Sequence, residues 1–310
     1  CKGLLEEGGQ WEKGREGSPK EVHCSKVRLE NRHLMEEELD RIKPTHVIVA
    51  AGITGRPNVD WCETHKMETI RVNTIGILNI ADTCAQRNIH CTIYATGCIY
   101  EYDEQHKIGG VPFTEDDAPN FKASFYSETK GMLDTLLKCY ENVLTLRVRM
   151  PISDDLSSRS FVTKIASYHK VVDIPNSMTV LTDLIPLSLA MSAAGLTGTY
   201  NFCNPKPISH NQVLSIYKKH VDPSFEWENF SVEEQAKVIR AGRSNNTLDT
   251  TKLEGAARDL GMPLPDIFTA MENAMAGARH NLEAAGQYPA GLPKKLGPGN
   301  SQPTSTTKGA

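Results

Sequence analysis

The sequence predicts an α/β fold: a doubly wound parallel sheet with helices on both faces and a second, smaller lobe. Short apolar runs alternate with helical patterns through the middle of the 310-residue chain. Repeated strand–helix–strand units of this kind form parallel sheets joined by right-handed crossovers. One run, 46–52, is apolar without alternation, as expected of a strand buried on both faces.

Further elements follow in order along the chain. Strands are predicted at 21–27, 46–52, 91–96, 143–149 and 199–203, and helices at 31–43, about 66–86, 126–140 and, in large part, 209–284. Asn31 and Ser209 are suited to cap the helices that follow them, and Pro44 ends the first. The Gly- and Pro-rich tail from Gln287 is predicted to be disordered.

Composition excludes several classes of protein. With 34 Lys and Arg against 38 Asp and Glu, the formal charge is -4, which argues against binding to nucleic acid or to a membrane surface. We find no apolar run near 18 residues and no secretory h-region at the start of the sequence. The eight cysteines stand singly and the ten histidines lack metal-ligand spacing, so we expect reduced thiols, no metal and a cytoplasmic protein.

The sharpest chemical signal is Tyr126 followed four residues later by Lys130. Positions i and i+4 share a helix face, although many helices carry such a pair on a solvated surface. A tyrosine has an ordinary pKa near ~10, and a neighbouring cation is expected to lower it toward the working range. Thr96 ends the predicted strand before this helix, and ligands bind beyond the carboxyl ends of such strands. Thr96 can therefore meet the same substrate oxygen as Tyr126.

A hydroxyl, a phenol and a lysine placed in this way resemble the extended short-chain dehydrogenase/reductases, which have a Rossmann-like fold and act on nucleotide sugars. The resemblance narrows to the plant and fungal UDP-4-keto-6-deoxyglucose 3,5-epimerase/4-reductases, relatives of bacterial dTDP-4-dehydrorhamnose reductase that make UDP-rhamnose. It covers about 27–284 and rests on the motifs at 54–62, 94–100, 124–130, 146–152, 174–179, 227–230, 233–237 and 243–249.

The resemblance implies roles for five catalytic residues. Cys98 and Lys164 are expected to be the acid–base pair that inverts C3 and C5 beside a C4 ketone, and which residue takes which proton stays open. Tyr126 is expected to protonate the C4 oxygen, Thr96 to bind that oxygen, and Lys130 to hold the nicotinamide ribose and tune Tyr126.

The same resemblance implies a cofactor groove and substrate contacts. NADPH or NADH is the expected cofactor, lined by Arg28, Ala50, Ala51, Gly52, Asn73, Tyr126 and Lys130. An arginine at position 28 favours NADPH, because it can meet a 2′-phosphate. The expected substrate contacts are Arg56, Asn58, Arg149, Asn176, Arg243 and Asn246. Structural roles are about equally plausible for such residues.

One feature of the resembled family is missing near the start of the sequence, since no strand followed by a Gly-rich phosphate-binding turn occurs there. We therefore expect an N-terminally incomplete dinucleotide-binding domain at 1–150 that lacks its first strand. Residues 185–206 are predicted to return to this domain, 151–184 and 207–285 to form the substrate lobe, and 286–310 to form the tail.

The leading functional hypothesis is a bifunctional epimerase and reductase that acts on a nucleotide sugar. Two alternatives remain: a 4-reductase of the dTDP-4-dehydrorhamnose reductase type without epimerase activity, and a non-catalytic binding or regulatory subunit of the same fold. A homodimer through the helix of Tyr126 is common in the superfamily and is a candidate assembly here.

Overall fold

Four parallel strands form the main sheet of the computed structural model, which describes residues 21–55, 58–168, 170–230 and 242–290. In spatial order they are β1 (His46–Val49), β2 (His90–Thr96), β3 (Val143–Val148) and β5 (Gly198–Phe202). The short strands β4 (Lys170–Val171) and β6 (Glu228–Asn229) pair separately. β3 is buried along almost its whole length, because helices cover both faces of the sheet. The predicted parallel α/β sheet is confirmed.

The helices begin and end close to the predicted positions. They are α1 (Arg32–Ile42), α2 (Lys66–Ile70), α3 (Gly76–Ala85), α4 (Phe125–Leu137), α5 (Phe161–Ala166), α6 (Leu181–Ala193), α7 (His210–His220), α8 (Thr251–Asp259) and α9 (Ile267–Ala284). A π-helical turn, Arg71–Ile75, joins α2 to α3, and Val59–Glu63 forms a 3₁₀ turn. Asn31 caps α1 by accepting from the Leu34 amide, and Ser209 caps α7 through a capping box with Gln212. Both predicted caps are confirmed.

Apolar side chains pack in separate layers around the sheet. On one face α1, α3 and α4 pack on the strands through residues such as Leu39, Ile80 and Leu133. On the other face α6 and α8 pack through Leu184 and Leu253. A further cluster joins α5, α7 and α9. Helix α8 lies in a range predicted for the substrate lobe, but its apolar side chains belong to the cluster that packs on the second face of the sheet.

The predicted strand at 21–27 is wrong, since these residues form no regular secondary structure. A strand is stabilised by ladder hydrogen bonds to a neighbour, and within the described ranges β1 is an edge strand whose one paired neighbour is β2. Several predictions fall on residues outside the described ranges. These are the missing first strand and Gly-rich turn near the start of the sequence, most of the tail, Arg56 and the 233–237 motif.

None of the helices in the described ranges is long and apolar enough to cross a membrane.

Gly131 in α4 has a packing reason. A Cβ at this position would lie 3.1 Å from the Cβ of Pro119, a tighter contact than most side chains make. The glycine therefore lets α4 approach the 119–121 loop closely, at a cost of about 1 kcal/mol in helix propensity relative to alanine. Tight packing of α4 fixes the helix that carries Tyr126 and Lys130.

Candidate active site

The predicted hydroxyl, phenol and lysine meet beyond the carboxyl ends of the strands. Thr96 is the last residue of β2 and is buried. Tyr126 lies in the first turn of α4, where the Thr96 hydroxyl is close enough to its phenol to influence the pKa of Tyr126. Lys130 follows one turn later, as the i and i+4 spacing predicts. The Ser124 side chain caps this helix by accepting from the Ser127 amide at 3.2 Å, which fixes where α4 begins.

Burial raises the pKa of Tyr126 above its ordinary value of 10. The nearby thiol of Cys98 acts in the same direction, and the hydrogen bond from Thr96 opposes both. The expectation that Lys130 would lower this pKa is wrong, because loss of hydration outweighs the other influences. Tyr126 is therefore a protonated phenol at neutral pH, suited to donate a proton to an oxygen that becomes negative.

Lys130 is buried, with 8% of its surface exposed. Burial lowers the pKa of Lys130 to about 8, while the buried thiol of Cys62 acts to raise it. Within the described part of the chain, we find no side chain or carbonyl that accepts a hydrogen bond from its Nζ. A buried amine with unused donors is a good match for a pair of sugar hydroxyls.

Gly52 opens the space beside this amine. A Cβ at Gly52 would lie 3.9 Å from Lys130 Nζ and 3.5 Å from Asn73 Oδ1. Ala50, Ala51 and Gly52, which follow β1, are exposed. These residues fit the lining of a nicotinamide cofactor groove, in which Lys130 would hold the ribose hydroxyls.

Asn73 holds this backbone from the π-helical turn between α2 and α3. Its side chain is fully buried, accepts a hydrogen bond from Ile53 N at 2.8 Å and donates one to Ile53 O at 2.7 Å. The two bonds fix the chain after β1 to the helix. Asn73 therefore shapes the groove through the backbone.

Cys98 joins the same site from the loop after β2. Its amide donates to Thr96 Oγ1 at 3.1 Å, so the hydroxyl predicted to bind the ketone and the thiol belong to one turn. The half-buried sulfur accepts a hydrogen bond from Arg149 at the end of β3, at 3.3 Å. Thr96, Cys98, Tyr126 and Lys130 are thus brought together as predicted.

Lys164 projects from α5 with an exposed side chain. Partial loss of hydration at its ammonium lowers the pKa of Lys164, and the positive charge of the neighbouring Arg159 lowers this pKa further. Across the described residues, no hydrogen bond joins Lys164 to Cys98. The position of Lys164 in the acid–base pair stays a prediction.

The predicted substrate contacts divide into two groups. Arg149, Asn176 and Asn246 are fully buried and bond to protein groups. Asn58 and Arg243 lie at the surface of the cleft, where Asn58 caps the 3₁₀ turn and Arg243 bonds to Asp60 at 3.0 Å.

Arg28 lies apart from the catalytic residues, in the segment before α1. Its exposed guanidinium bonds to the Glu30 carboxylate at 2.6 Å and 2.8 Å. Its role toward a 2′-phosphate stays a prediction.

Two residues near the site were not singled out from the sequence. Cys62 is fully buried and lies close enough to Lys130 and Tyr126 to influence both pKa values. Ser244 accepts a hydrogen bond from Arg149 at 2.9 Å and donates one to Tyr100 O at 2.6 Å. Both belong to the motifs at 54–62 and 243–249, but nothing in their spacing marks their contacts. Among the described residues we find no group of three or more potential metal ligands.

Comparison with known proteins is consistent with this geometry. Residues 8–160 match the NAD dependent epimerase/dehydratase family. A bifunctional dTDP-4-dehydrorhamnose 3,5-epimerase/dTDP-4-dehydrorhamnose reductase of Arabidopsis thaliana is 58% identical over 229 residues, which are 73% of this chain and 76% of that protein. A trifunctional UDP-glucose 4,6-dehydratase/UDP-4-keto-6-deoxy-D-glucose 3,5-epimerase/UDP-4-keto-L-rhamnose-reductase of the same plant is 57% identical, over 74% of this chain and 34% of that protein.

A solved structure resembles the whole arrangement. The crystal structure of the L780 UDP-rhamnose synthase from Acanthamoeba polyphaga mimivirus superimposes with a TM-score of 0.77 at 39% identity. The superposition covers 82% of this chain and 89% of that one. The predicted resemblance is confirmed by both sequence and structure.

Proposed function

The chain belongs to the rhamnose-forming epimerase/reductases of the NAD dependent epimerase/dehydratase family, and we infer from this that it converts UDP-4-keto-6-deoxyglucose to UDP-rhamnose. It acts as a 3,5-epimerase and as an NAD(P)H-dependent 4-reductase. The observation that carries this inference is the meeting of Thr96, Cys98, Tyr126 and Lys130 in one cleft. The relatives supply the substrate class, and the site supplies groups for both reactions.

Epimerisation uses the ketone at C4. A proton on C3 or C5 is acidic because the enolate spreads its charge onto the ketone oxygen, and Thr96 is the proposed hydrogen-bond donor to that oxygen. One group removes the proton from one face of the ring and a second group returns a proton to the other face. Cys98 and Lys164 are the proposed pair.

Reduction uses the α4 side of the cleft. The nicotinamide cofactor supplies a hydride to C4 when it is bound. Tyr126, protonated because burial raises its pKa, donates its proton to the C4 oxygen. Lys130 holds the ribose hydroxyls with its unused N–H groups, and Asn73 fixes the groove backbone through Ile53.

The two alternatives make different demands on these residues. A 4-reductase without epimerase activity needs Thr96, Tyr126 and Lys130 but has no use for a thiol beside the ketone-binding hydroxyl. A binding subunit needs none of them. The bond from Cys98 N to Thr96 Oγ1 keeps Cys98 beside the proposed ketone-binding hydroxyl and so supports the bifunctional enzyme.

Product analysis with two variants tests the proposal. Purified chain receives UDP-4-keto-6-deoxyglucose and NADPH, and sugars are separated by chromatography and identified by mass spectrometry. Cys98→Ala should abolish epimerisation, and Tyr126→Phe should abolish reduction while deuterium still enters C3 and C5 from heavy water. UDP-rhamnose formed by both variants would show that the site assignment is wrong. If the folded protein gives neither product nor deuterium exchange, and an N-terminally extended chain gives neither as well, the result favours the binding subunit.

A homodimer through α4 is the proposed assembly. Met132 and Leu136 are one turn apart on this helix and are 60% and 45% exposed, so they form an apolar strip. Light scattering on wild type and a Met132→Glu variant tests the dimer, and a monomeric wild type contradicts it.

A cytoplasmic location is supported by the cysteines of the described residues, all of which are free thiols.

A further inference from the structure

Arg149, at the end of β3, is bonded to the Cys98 sulfur from inside the protein. Its guanidinium is fully buried. One terminal nitrogen donates to Cys98 Sγ at 3.3 Å and to Ser244 Oγ at 2.9 Å. The other donates to Asn176 Oδ1 and to Ser244 O. The side chain is held from several directions and cannot swing out into the cleft.

The loop that carries Cys98 is built around this arginine. A Cβ at Gly97 would lie 2.8 Å from Arg149 Cγ, so only glycine lets the loop pack on the arginine stem. The Asn246 amide donates to Gly97 O at 3.1 Å and to Tyr100 O at 3.0 Å. The 243–249 motif thus returns to the end of β2 and fixes the backbone on both sides of Cys98.

The charge of Arg149 lacks a carboxylate partner within the described residues, where its contacts are hydroxyl, amide, carbonyl and thiol groups. Arg147, two residues earlier and equally buried, is paired with the carboxylate of Asp134 at 2.7 Å. Burial of an unpaired guanidinium is costly. Among these contacts, the thiol of Cys98 is the group that can ionise to an anion.

We propose that Arg149 is a positioning residue for epimerisation, which holds the Cys98 sulfur in place and serves as the counter-ion of its thiolate. Asn176 and Ser244 orient Arg149, and Asn246 orients the loop. These buried residues then act through Cys98 and do not contact the sugar diphosphate.

The proposal rests on the proposed function, because Cys98 must exchange a proton with the substrate. The other ionisable groups that face Cys98 are the phenol of Tyr126 from α4 and the thiol of Cys203 from the end of β5. Neither of them is a cation.

Alkylation of Cys98 tests the contact without any substrate. Wild type, Arg149→Gln and Arg149→Lys are treated with iodoacetamide between pH 5.5 and 9, and each cysteine peptide is quantified by mass spectrometry. Because a neighbouring charge changes thiol ionisation by one or more powers of ten, Arg149→Gln should slow Cys98 alkylation about tenfold at pH 6.5 and move its profile to higher pH. Arg149→Lys should restore part of the rate. The exposed thiols of Cys24 and Cys139 are internal controls for reagent concentration and pH, and their alkylation rates should be the same in all variants.

A matched variant separates this effect from loss of a buried arginine. Arg147→Lys disturbs an equally buried guanidinium on the same strand that has no bond to Cys98, and its Cys98 profile should match wild type. An unchanged profile in Arg149→Gln, or an equal change in Arg147→Lys, overturns the proposal. Should Arg149→Gln fail to fold, Ser244→Ala removes one of the bonds that hold Arg149 and should move the profile in the same direction by a smaller amount.

Isotope exchange then connects the contact to the reaction. Deuterium entry at C3 and C5 without NADPH should fall at least about tenfold in Arg149→Gln, while reduction of pre-epimerised UDP-4-keto-L-rhamnose should fall much less. Equal losses in the two assays overturn the positioning role. If wild type shows no deuterium exchange but its alkylation profile depends on Arg149, the proposed function is contradicted. The contact between Arg149 and Cys98 is then still supported.

Discussion

Replacement of the buried Lys130 by methionine should stabilise the chain near neutral pH. Burial lowers the pKa of Lys130 from its ordinary 10.5 to about 8. Since a tenfold change in proton affinity corresponds to about 1.4 kcal/mol, the protonated amine lowers the free energy of unfolding by about 3 kcal/mol below pH 8. Methionine fills a similar volume and carries no charge to bury. The same variant loses reductase activity, because its side chain cannot hold the ribose.

The sign of this effect depends on pH. Between about 8 and 10.5 the unfolded chain binds more protons at Lys130 than the folded chain, so wild-type stability rises with pH in this window. The advantage of Lys130→Met should therefore shrink by about 2–3 kcal/mol between pH 7 and pH 10. Other groups that titrate in this range contribute equally to both proteins and cancel in the difference.

Urea unfolding at the two pH values measures this difference. Lys122→Met is the control, because the exposed Lys122 keeps its hydration in both states and its replacement should have the same effect at both pH values. A constant difference between Lys130→Met and wild type, or one that grows with pH, would refute the assignment of a desolvated ammonium at this position.

Three further predictions concern other parts of the chain. Asp134→Asn breaks a fully buried ion pair with Arg147 and should lower the free energy of unfolding by about 3–5 kcal/mol, measured by chemical denaturation. Gly97→Ala places a methyl group 2.8 Å from Arg149 Cγ and should reduce deuterium exchange into the substrate more than it reduces reduction of pre-epimerised substrate. Arg28→Ala should weaken NADPH binding about tenfold and leave NADH binding unchanged in fluorescence titrations, and equal effects on both cofactors would exclude contact with a 2′-phosphate.

Most of the fold is predictable because its signals are local. Apolar runs place β1, β2, β3 and β5 close to their observed bounds, and Asn31 and Ser209 cap the helices that follow them. The segment at 21–27 has a strand-like composition, but a strand also needs a partner, and β1 is paired on one side only within the described residues. Composition alone cannot supply that information.

The candidate site also has one part that local sequence signals predict and another part that they do not. Spacing places Tyr126 and Lys130 on one helix face, and strand ends place Thr96 beside them. The burial of Arg149 depends instead on the return of the 243–249 motif to β2, a contact between positions almost a hundred residues apart. The direction of the Tyr126 pKa is also a tertiary property, because it follows from loss of hydration around the phenol and only secondarily from Cys98, Thr96 and Cys62.

The two proposed reactions require opposite protonation states within one small cleft. Reduction needs a phenol that keeps its proton until the C4 oxygen becomes negative, and burial of Tyr126 provides this. In the proposed epimerisation Cys98 passes through a thiolate whether it gives or takes the proton, and Arg149 donates a hydrogen bond to its sulfur. Under the proposal, a buried guanidinium that donates to this sulfur, and to no phenol among the described residues, lets one site carry both reactions at the same pH.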